Sequence, residues 1–248
     1  MCRLLTACEL SELSAVNDSV AQAVWPKFML NDPVAGEFWH HLYEEWPDYQ
    51  FAVLQGDRIV ALGNSVPLHW ESRLEQLPDE GWDWILPKAV SDRRAGRSGN
   101  LQVAIQVMVL PEHQGKGLSA EAVRSMKRIG AEHGHRQLIV PGRPTLKCQH
   151  PHTPIEEYLS WRDDQGFPFD SWVRTHVRLG AQVIKVCHHS MEIRGTTEEW
   201  RDWTGLSFPE SGAYVVPGAL VPVIVDTGKA LGVYIEPNVW LRHSLANV

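Results

Sequence analysis

The residues best suited to chemistry form a short glycine-bearing turn near the middle of the 248-residue chain. In order they are Gln114, Gly115, Lys116, Gly117, Leu118 and Ser119. An alternating apolar run precedes the turn and a helical pattern follows it. A helix N-terminus presents unpaired N–H groups and a positive dipole end, which together can hold a phosphate. Glycines let the backbone close around the anion, and Lys116 adds a positive charge. The pattern therefore predicts a pyrophosphate-binding turn between a strand and a helix.

Two common phosphate-binding loops do not fit this turn. A Walker A loop needs Gly-Lys-Ser/Thr at a set spacing, and a Rossmann turn needs a third glycine. The turn instead resembles motif A of the GNAT N-acetyltransferase superfamily, written Gln/Arg-x-x-Gly-x-Gly/Ala after a strand that ends in Val-x-Pro. Here the strand ends Val109-Leu110-Pro111, and the motif runs from Gln114 to Ser119, with serine at the last small position. A glycine-rich turn without any ligand is the alternative interpretation.

The resemblance implies a cofactor and a reaction. The amides of Gln114 to Ser119 would hold the pyrophosphate of acetyl-CoA or another acyl-CoA, and the acyl group would pass directly to an amine of a small-molecule acceptor. The resemblance also places a bulge of the central strand at Met108 and Val109. One backbone N–H there would polarise the thioester carbonyl, so Met108 is expected to be catalytic and Val109 to bind the cofactor. Ordinary core packing is the alternative for both residues.

The resemblance also nominates His176 as a general acid. Family members often carry a tyrosine four residues before a Gly-Phe at the end of the fourth helix, where it protonates the departing thiolate. The corresponding stretch here is His176-Val177-Arg178-Leu179-Gly180-Ala181. An imidazole with a pKa of about 6.5 can donate or accept a proton at neutral pH. The alternative is that His176 only packs on the sheet. The general base stays open among His69, Glu71, Glu112 and His113.

The elements that would position these residues follow from hydrophobic spacing and from turn residues. Helices are predicted over residues 14–30, 38–46, 120–134, 154–162 and 169–179. Strands are predicted over residues 49–54, 59–68, 101–109, 135–140, 182–186 extending towards 193, and 232–241. Residues 55–58 indicate a hairpin turn between the first two strands. The stretch from 71 to 100 indicates a partly helical insertion.

This order of elements matches the GNAT plan, so the expected fold class is α/β, or more closely α+β. The sheet would be mixed and mostly antiparallel, with helices on both faces. We expect a single elaborated domain over residues 1–248. Its core would span about 14–193, its insertion about 71–100 and a C-terminal extension about 194–248.

Composition narrows the function classes. The net charge of −7 disfavours a nucleic-acid surface, and no apolar run approaches the 18 or more residues of a membrane span. The N-terminus lacks the apolar core of a signal peptide, so a cytoplasmic location is expected. The four cysteines have neither disulfide nor zinc spacing, so we expect reduced thiols and no metal. We likewise expect no metal at the His-containing stretches beside Cys148 and Cys187.

Two alternatives to a CoA-dependent transferase stay open. The same fold could take its acyl group from a carrier protein or from tRNA, with Arg93, Arg94 and Arg97 as a docking surface. The chain could also be a CoA-binding or sensing module without turnover, which the missing tyrosine favours. The identity of the acceptor and the oligomeric state are not predicted.

Overall fold

A computed structural model describes residues 2–246, so positions 1, 247 and 248 of the expected domain lie outside the described residues. The described strands form one mixed sheet. They are β1 (Cys2–Thr6), β2 (Phe51–Gln55), β3 (Arg58–Leu68), β4 (Leu101–Val109), β5 (Gln137–Gly142), β6 (Gln182–Thr196), β7 (Gly212–Tyr214), β8 (Val223–Asp226) and β9 (Leu231–Ser244).

The helices pack around this sheet. They are α1 (Leu13–Val24), α2 (Pro33–Phe38), α3 (His41–Glu45), α4 (Gly81–Arg94), α5 (Leu118–Glu132), α6 (Ile155–Ser160), α7 (Ser171–Arg178) and α8 (Thr197–Thr204). Within residues 2–246, no helix is both long enough and apolar enough to cross a bilayer.

Helices α1 and α5 cover opposite faces of the sheet. Ala52 and Leu54 of β2 pack with α1, whereas Phe51 and Val53 join the apolar cluster that contains the inner face of α5. Successive side chains of a strand point to opposite faces, so the two helices cannot share one face. Helix α7 contacts α5, and α4 packs on β3 and β6 with α2 beside it. The expected arrangement of a mostly antiparallel sheet with helices on both faces is confirmed.

The centre of the sheet separates between β4 and β5. These two strands are parallel, and the ladder joins them only at Gln102–Leu138 and Val103–Ile139. The remainder of each strand, residues 104–109 and 140–142, has no pairing across the gap. Because a parallel pair normally continues its ladder along both strands, this separation leaves an opening inside the sheet.

Strand β9 has different neighbours along one edge. It pairs with β5 through residues 239–244 and with β8 through residues 231–233, while β6 follows its other edge. Residues 234–238 therefore lack a strand partner on the edge that faces β5. Strand β9 lies between β5 and β6 and is therefore part of the central sheet. Its residues were expected to belong to a C-terminal extension outside the core.

Several elements differ from the sequence-based expectation. Strand β1, which pairs with β2 at the edge of the sheet, was not predicted. Helix α8 was also missed, although Thr196 and Glu199 form a capping box at its start. The stretch expected to be a partly helical insertion contains α4, and the single helix expected over 14–30 is α1 followed by a short 3₁₀ turn at Lys27–Asn31.

Candidate active site

The N-terminus of α5 has the open backbone that phosphate binding requires. Gly115 and Gly117 have φ angles of +74° and +76°, a left-handed conformation that side chains other than glycine rarely adopt. Gly117 is the N-cap and no side chain caps it. In the part of the chain that the structure describes, the backbone N–H groups of residues 115–119 donate to no other atom. The turn thus keeps five consecutive amides available for an anion.

The side chains of the turn are held away from these amides. Lys116 Nζ donates to the Glu112 carbonyl at 2.9 Å, and Gln114 Nε2 donates to the Val109 carbonyl at 3.2 Å. The backbone N–H of Gln114 donates to the Pro111 carbonyl, so it is not one of the free amides. Among residues 2–246, no side chain hydrogen-bonds to these five amides, and the Lys116 ammonium is anchored next to the turn.

A cavity of about 400 Å³ runs through the opening in the sheet. At one end it is lined by Ser119 and Val123 in the first turns of α5, and at the other by Glu236 and Asn238 on the unpaired edge of β9. Most of its wall is apolar, with indole rings from the residues that follow α1 and α2 and from within α4 and α7. Its volume is within the usual range for small-ligand sites. A ligand held at the α5 terminus can therefore extend through the sheet to a second pocket.

The bulge of β4 is at Ile105, and the expected position at Met108 and Val109 was wrong. The ladder between β3 and β4 skips Ile105 between two consecutive pairs. Trp82 Nε1 donates to the Ile105 carbonyl at 2.8 Å and holds the bulge in place. Local sequence could not show this position, because the register between β3 and β4 depends on long-range pairing.

Met108 and Val109 face different sides of β4. The N–H of Leu110 donates to the Val60 carbonyl of β3, and backbone groups alternate sides along a strand. The N–H of Met108 therefore also points at β3, whereas Val109 presents its backbone to the opening. The Met108 side chain is 1% exposed and packs against α1, away from the cavity. The structure brings Val109 to the site but not Met108.

His176 lies in the cavity wall with its ring buried. Its Nδ1 is 2.8 Å from Nε2 of His243, and its own Nε2 has no partner within the described residues. Burial, and then the neighbouring His243, lower the pKa of His176 to about 3. The imidazole is neutral at pH 7, so it cannot be the charged general acid that the sequence suggested. The family resemblance singled out His176, which does line the cavity, but it could not show how completely the ring is desolvated.

The two histidines share one proton along their hydrogen bond. Burial, and then the charge of Lys127, lower the pKa of His243 to about 4, while the Leu179 carbonyl acts in the opposite direction. When His243 carries its proton on Nδ1, its Nε2 is the acceptor of this hydrogen bond. His176 then donates through Nδ1 and presents the bare Nε2 to the cavity.

A buried ion pair closes the far end of the cavity. Arg143 Nε lies 3.0 and 2.9 Å from the two carboxylate oxygens of Glu236, and its Nη2 donates to the Gly218 carbonyl at 2.6 Å. Tyr234 also donates to Glu236, at 2.6 Å. Burial is the largest influence on Arg143 and lowers its pKa, but the charge and hydrogen bonds of Glu236, together with Tyr234, raise the pKa overall. The charges of Arg143 and Glu236 therefore compensate each other.

Two carboxyl groups lie close together behind the same end. Asp32 caps α2 through the N–H of Ala35, and Asp83 of α4 accepts the N–H of Glu192 at 2.8 Å. Burial, and then the charge of Asp32, raise the pKa of Asp83 to about 8. Burial also raises the pKa of Asp32, and one carboxyl oxygen of each residue, Oδ2 of Asp32 and Oδ1 of Asp83, is buried without a partner in the described residues. Two such groups hold a single proton between them at neutral pH.

The other residues considered from sequence do not line the cavity. His69 pairs with Glu71 at 3.2 Å, and His113 lies 3.9 Å from Glu112 in the turn before α5. None of these four candidate general bases reaches the opening between β4 and β5.

The expected arginine cluster is largely paired. Arg93 contacts Glu45 at 2.6 Å and Arg97 contacts Asp92 at 2.8 Å. Both guanidinium groups are therefore partly neutralised where a docking surface was considered.

The His-containing stretches weighed as metal ligands are not brought together. Among residues 2–246, one trio places a ligand atom from each member within 4.8 Å of the others, namely His40, His41 and Glu44 near the start of α3. His41 also lies 2.6 Å from Glu45.

The sequence did not predict most of the residues that line the end of the cavity away from α5. Asn17, Trp25 and Gln106 line it with buried polar atoms that have no partner in the described chain, and Arg143 and Glu236 close it. A signal existed for Glu236, because it is a single acid within the long apolar strand β9. Asn17 carried a weaker signal as a polar residue on the apolar face of the first predicted helix.

The site and fold together define a protein that can hold a long anionic ligand across a split sheet. No model of a known protein family matches the chain. Arginine N-acetyltransferase avaD of Aspergillus versicolor is 34% identical to it, over 90% of this chain and 86% of the relative. The chain therefore belongs to the GNAT superfamily, and the expected family is confirmed.

Solved structures agree on the fold. The loading GNATL domain of CurA from Lyngbya majuscula matches with a TM-score of 0.64 and 15% identity, over 100% of both chains. The GNAT-like decarboxylase GphF, solved with isobutyryl-CoA, matches with a TM-score of 0.58 and 13% identity, over 99% of both chains. At these identities the similarity shows the fold alone.

Proposed function

We propose that this protein is an N-acyltransferase that moves an acetyl group from acetyl-CoA to an amine of a small, arginine-like acceptor. The observation that carries the proposal is the row of free amides at residues 115–119, whose last residue, Ser119, lines a cavity that crosses the sheet. The named activity of the Aspergillus relative supports the choice of acyl group and of acceptor.

The chain offers a place for each part of the donor. The amides of residues 115–119 and the α5 dipole would hold the pyrophosphate, with Lys116 beside them and Gln114 bracing the turn against Val109. Ser119 continues that surface into the cavity, and Leu118 beside it is buried in the core. Acetyl-CoA supplies an acetyl thioester, which is the activated group that an amine can displace. The apolar walls suit the pantetheine arm.

The residues around the opening would assist direct transfer. The acceptor nitrogen attacks the acetyl carbon as a neutral amine, the carbon–sulfur bond breaks, and the thiolate leaves with the bonding electrons. The nitrogen loses one proton as the amide forms, and the thiolate takes up one proton to give the free thiol of CoA. The N–H of Val109 faces the opening and stabilises negative charge on the acetyl oxygen. Neutral His176 accepts an N–H of the amine through Nε2 and orients the nitrogen lone pair. Both substrates meet in one cavity, so no covalent enzyme intermediate is needed.

Acetyl transfer is tested by following free-thiol release from acetyl-CoA with arginine, alongside calorimetric binding of CoA. Thiol release that depends on arginine, with acetylated product in the mass spectrum, supports the proposal. Binding of CoA without thiol release across a broad amine panel would instead indicate a sensing module. No binding of CoA at all would favour a donor attached to a carrier. A His176→Ala variant with unchanged turnover would remove His176 from the reaction.

We also propose that the protein works in the cytoplasm as one domain over residues 1–248. All four cysteines are free thiols, which fits a reducing compartment. One continuous sheet runs from β1 through β9, which supports a single domain. Equal fluorescence and circular-dichroism unfolding transitions would support the single domain, and two separate transitions would contradict it.

A further inference from the structure

The pocket at the α1 side of the cavity contains polar atoms that the protein itself does not satisfy. Asn17 is 1% exposed, and neither its Oδ1 nor its Nδ2 has a partner within residues 2–246. Gln106 Oε1, across the cavity on β4, is also unpartnered. Folded proteins pair nearly all such groups, so two unpartnered amide oxygens facing one cavity point to a ligand that donates hydrogen bonds to them.

The position of Asn17 on α1 aims it into this cavity. Asn17, Ala21 and Trp25 are spaced four residues apart, and all three line the cavity. Residues at this spacing share one face of a helix, so the inner face of α1 forms a continuous wall. Asn17 and Trp25 are separated by about 12 Å along the helix axis, which is enough for an extended small molecule to lie between them.

The charge in the pocket is negative. Asp18 lines the cavity at its exposed rim and makes no ion pair with the described residues. Arg143 is the one Arg or Lys among the described lining residues, and Glu236 already neutralises it. Trp39 and Trp82 add aromatic surface, against which a cation can be stabilised.

We propose, on the basis of the acyltransferase function above, that Asn17, Asp18 and Gln106 recognise the positively charged guanidinium end of the acceptor. The guanidinium has N–H donors for the two amide oxygens and a charge for Asp18. The acceptor's own carboxylate is not part of the recognition. No unpaired cation lines the described cavity to receive a carboxylate, because the Arg143 guanidinium is occupied by Glu236 and the Gly218 carbonyl.

Four acceptors test whether the protein recognises the guanidinium group and whether it ignores the carboxylate. Arginine, arginine amide and agmatine share the guanidinium, and the last two lack a free carboxylate, whereas citrulline is a neutral isostere of arginine. We expect arginine amide and agmatine to keep kcat/KM within about threefold of arginine. We expect citrulline to fall by about tenfold or more, because a charged hydrogen-bonded group is lost. Equal use of citrulline, or loss of activity with arginine amide, overturns the inference.

Variants test the named residues. Asn17→Leu keeps the side-chain shape and removes both unpartnered atoms, so we expect a higher Tm together with about a tenfold lower kcat/KM for arginine. A purely structural asparagine would give a lower Tm instead. Asp18→Asn should lower kcat/KM for arginine and weaken its dependence on salt. Asp57→Asn, which makes the same charge change at an exposed site in the β2–β3 hairpin, is the control and should leave both unchanged.

Calorimetric binding of arginine and of citrulline in the presence of CoA separates this inference from the proposed function. Binding of arginine but not citrulline, without any thiol release, keeps the recognition site and rejects the transferase. Equal binding of both, with thiol release intact, rejects the recognition site and keeps the transferase. Failure of both ligands to bind, with no turnover, rejects both.

Discussion

His176 Nδ1 lies 2.8 Å from His243 Nε2, and this hydrogen bond joins α7 to β9 beneath the cavity. Both imidazoles are buried, and burial is the main reason that their pKa values fall, to about 3 for His176 and about 4 for His243. The pair therefore forms part of the cavity wall and lowers the stability of the folded protein at acid pH.

The histidine pair should make the protein less stable as pH falls from 6.5 to about 4. In this window the unfolded state binds protons at both imidazoles, whose ordinary pKa is about 6.5, while the folded state keeps them neutral. Each histidine then contributes a slope of about 1.4 kcal/mol per pH unit at most. Urea denaturation at several pH values should show a shallower decline for His176→Gln/His243→Gln. The exposed residue His152, changed to Gln, is the control, and an unchanged slope in the double variant would contradict the assignment.

The backbone conformation of Gly117 should matter for CoA binding beyond its effect on stability. A Cβ at Gly117 or at Gly134 meets no atom within 4 Å, and both residues have a left-handed φ, of +76° and +77°. Alanine at either site should therefore cost a similar amount, about 1 kcal/mol, from backbone strain alone. Gly117→Ala should also weaken CoA binding about tenfold in calorimetry, because the free amides shift. Gly134→Ala, at the other end of α5, should bind CoA normally, and equal affinities of the two variants would contradict the phosphate site.

The parts of the site that sequence could predict are local. The central strand, the glycine turn and the helix after it follow one another without interruption, so their spacing and turn residues were enough to identify them. The position of the bulge at Ile105 could not be predicted from the sequence, because it depends on the register between β4 and β3. The same applies to the position of β9 in the sheet. This strand pairs between β5 and β6, which both precede it in the sequence.

The proposed acceptor pocket could not be predicted from the sequence, for a different reason. Gln106 is an ordinary polar residue in the sequence and Asn17 carries only a weak signal, whereas their burial without partners distinguishes both in the structure. Likewise, the histidine at position 176 suggested an acid until its surroundings showed complete desolvation. Solvation and pairing are properties of the packed chain, and these properties decide what a titratable group can do.

Asp83 should destabilise the protein as pH rises. Its pKa is raised to about 8, by burial first and then by the charge of Asp32, so the folded state keeps a proton that the unfolded state releases near pH 4. Stability therefore declines between pH 4 and 8. Asp83→Asn keeps an oxygen for the N–H of Glu192 and needs no proton. It should be more stable than the parent at pH 7.5, by about 1–2 kcal/mol, and nearly equal near pH 4.

Urea denaturation at the two pH values checks this expectation. The exposed Asp57→Asn change serves as the control for net charge and should produce no gap that depends on pH. A constant difference between Asp83→Asn and the parent across the range would show that the two carboxyl groups do not share a proton.

Trp82 should control the opening of the sheet through one hydrogen bond. Its Nε1 donates to the carbonyl of the bulge residue Ile105 at 2.8 Å, and its ring lines the cavity. Trp82→Phe keeps most of the aromatic surface but leaves that carbonyl without a donor. Unfolding in urea should show a loss of about 1–3 kcal/mol. The half-buried Trp84, whose ring packs on Trp70, provides the matched Trp→Phe control.

The kinetic effect distinguishes positioning of the bulge from simple destabilisation. Because β4 carries both the bulge and the outward-facing N–H of Val109, a shift at Ile105 misaligns the group that stabilises the acetyl oxygen. We expect Trp82→Phe to lower kcat for acetyl transfer several-fold while KM for arginine changes little. A rise in KM with normal kcat would instead assign Trp82 to acceptor binding, and normal values of both would mean that the hydrogen bond serves folding alone.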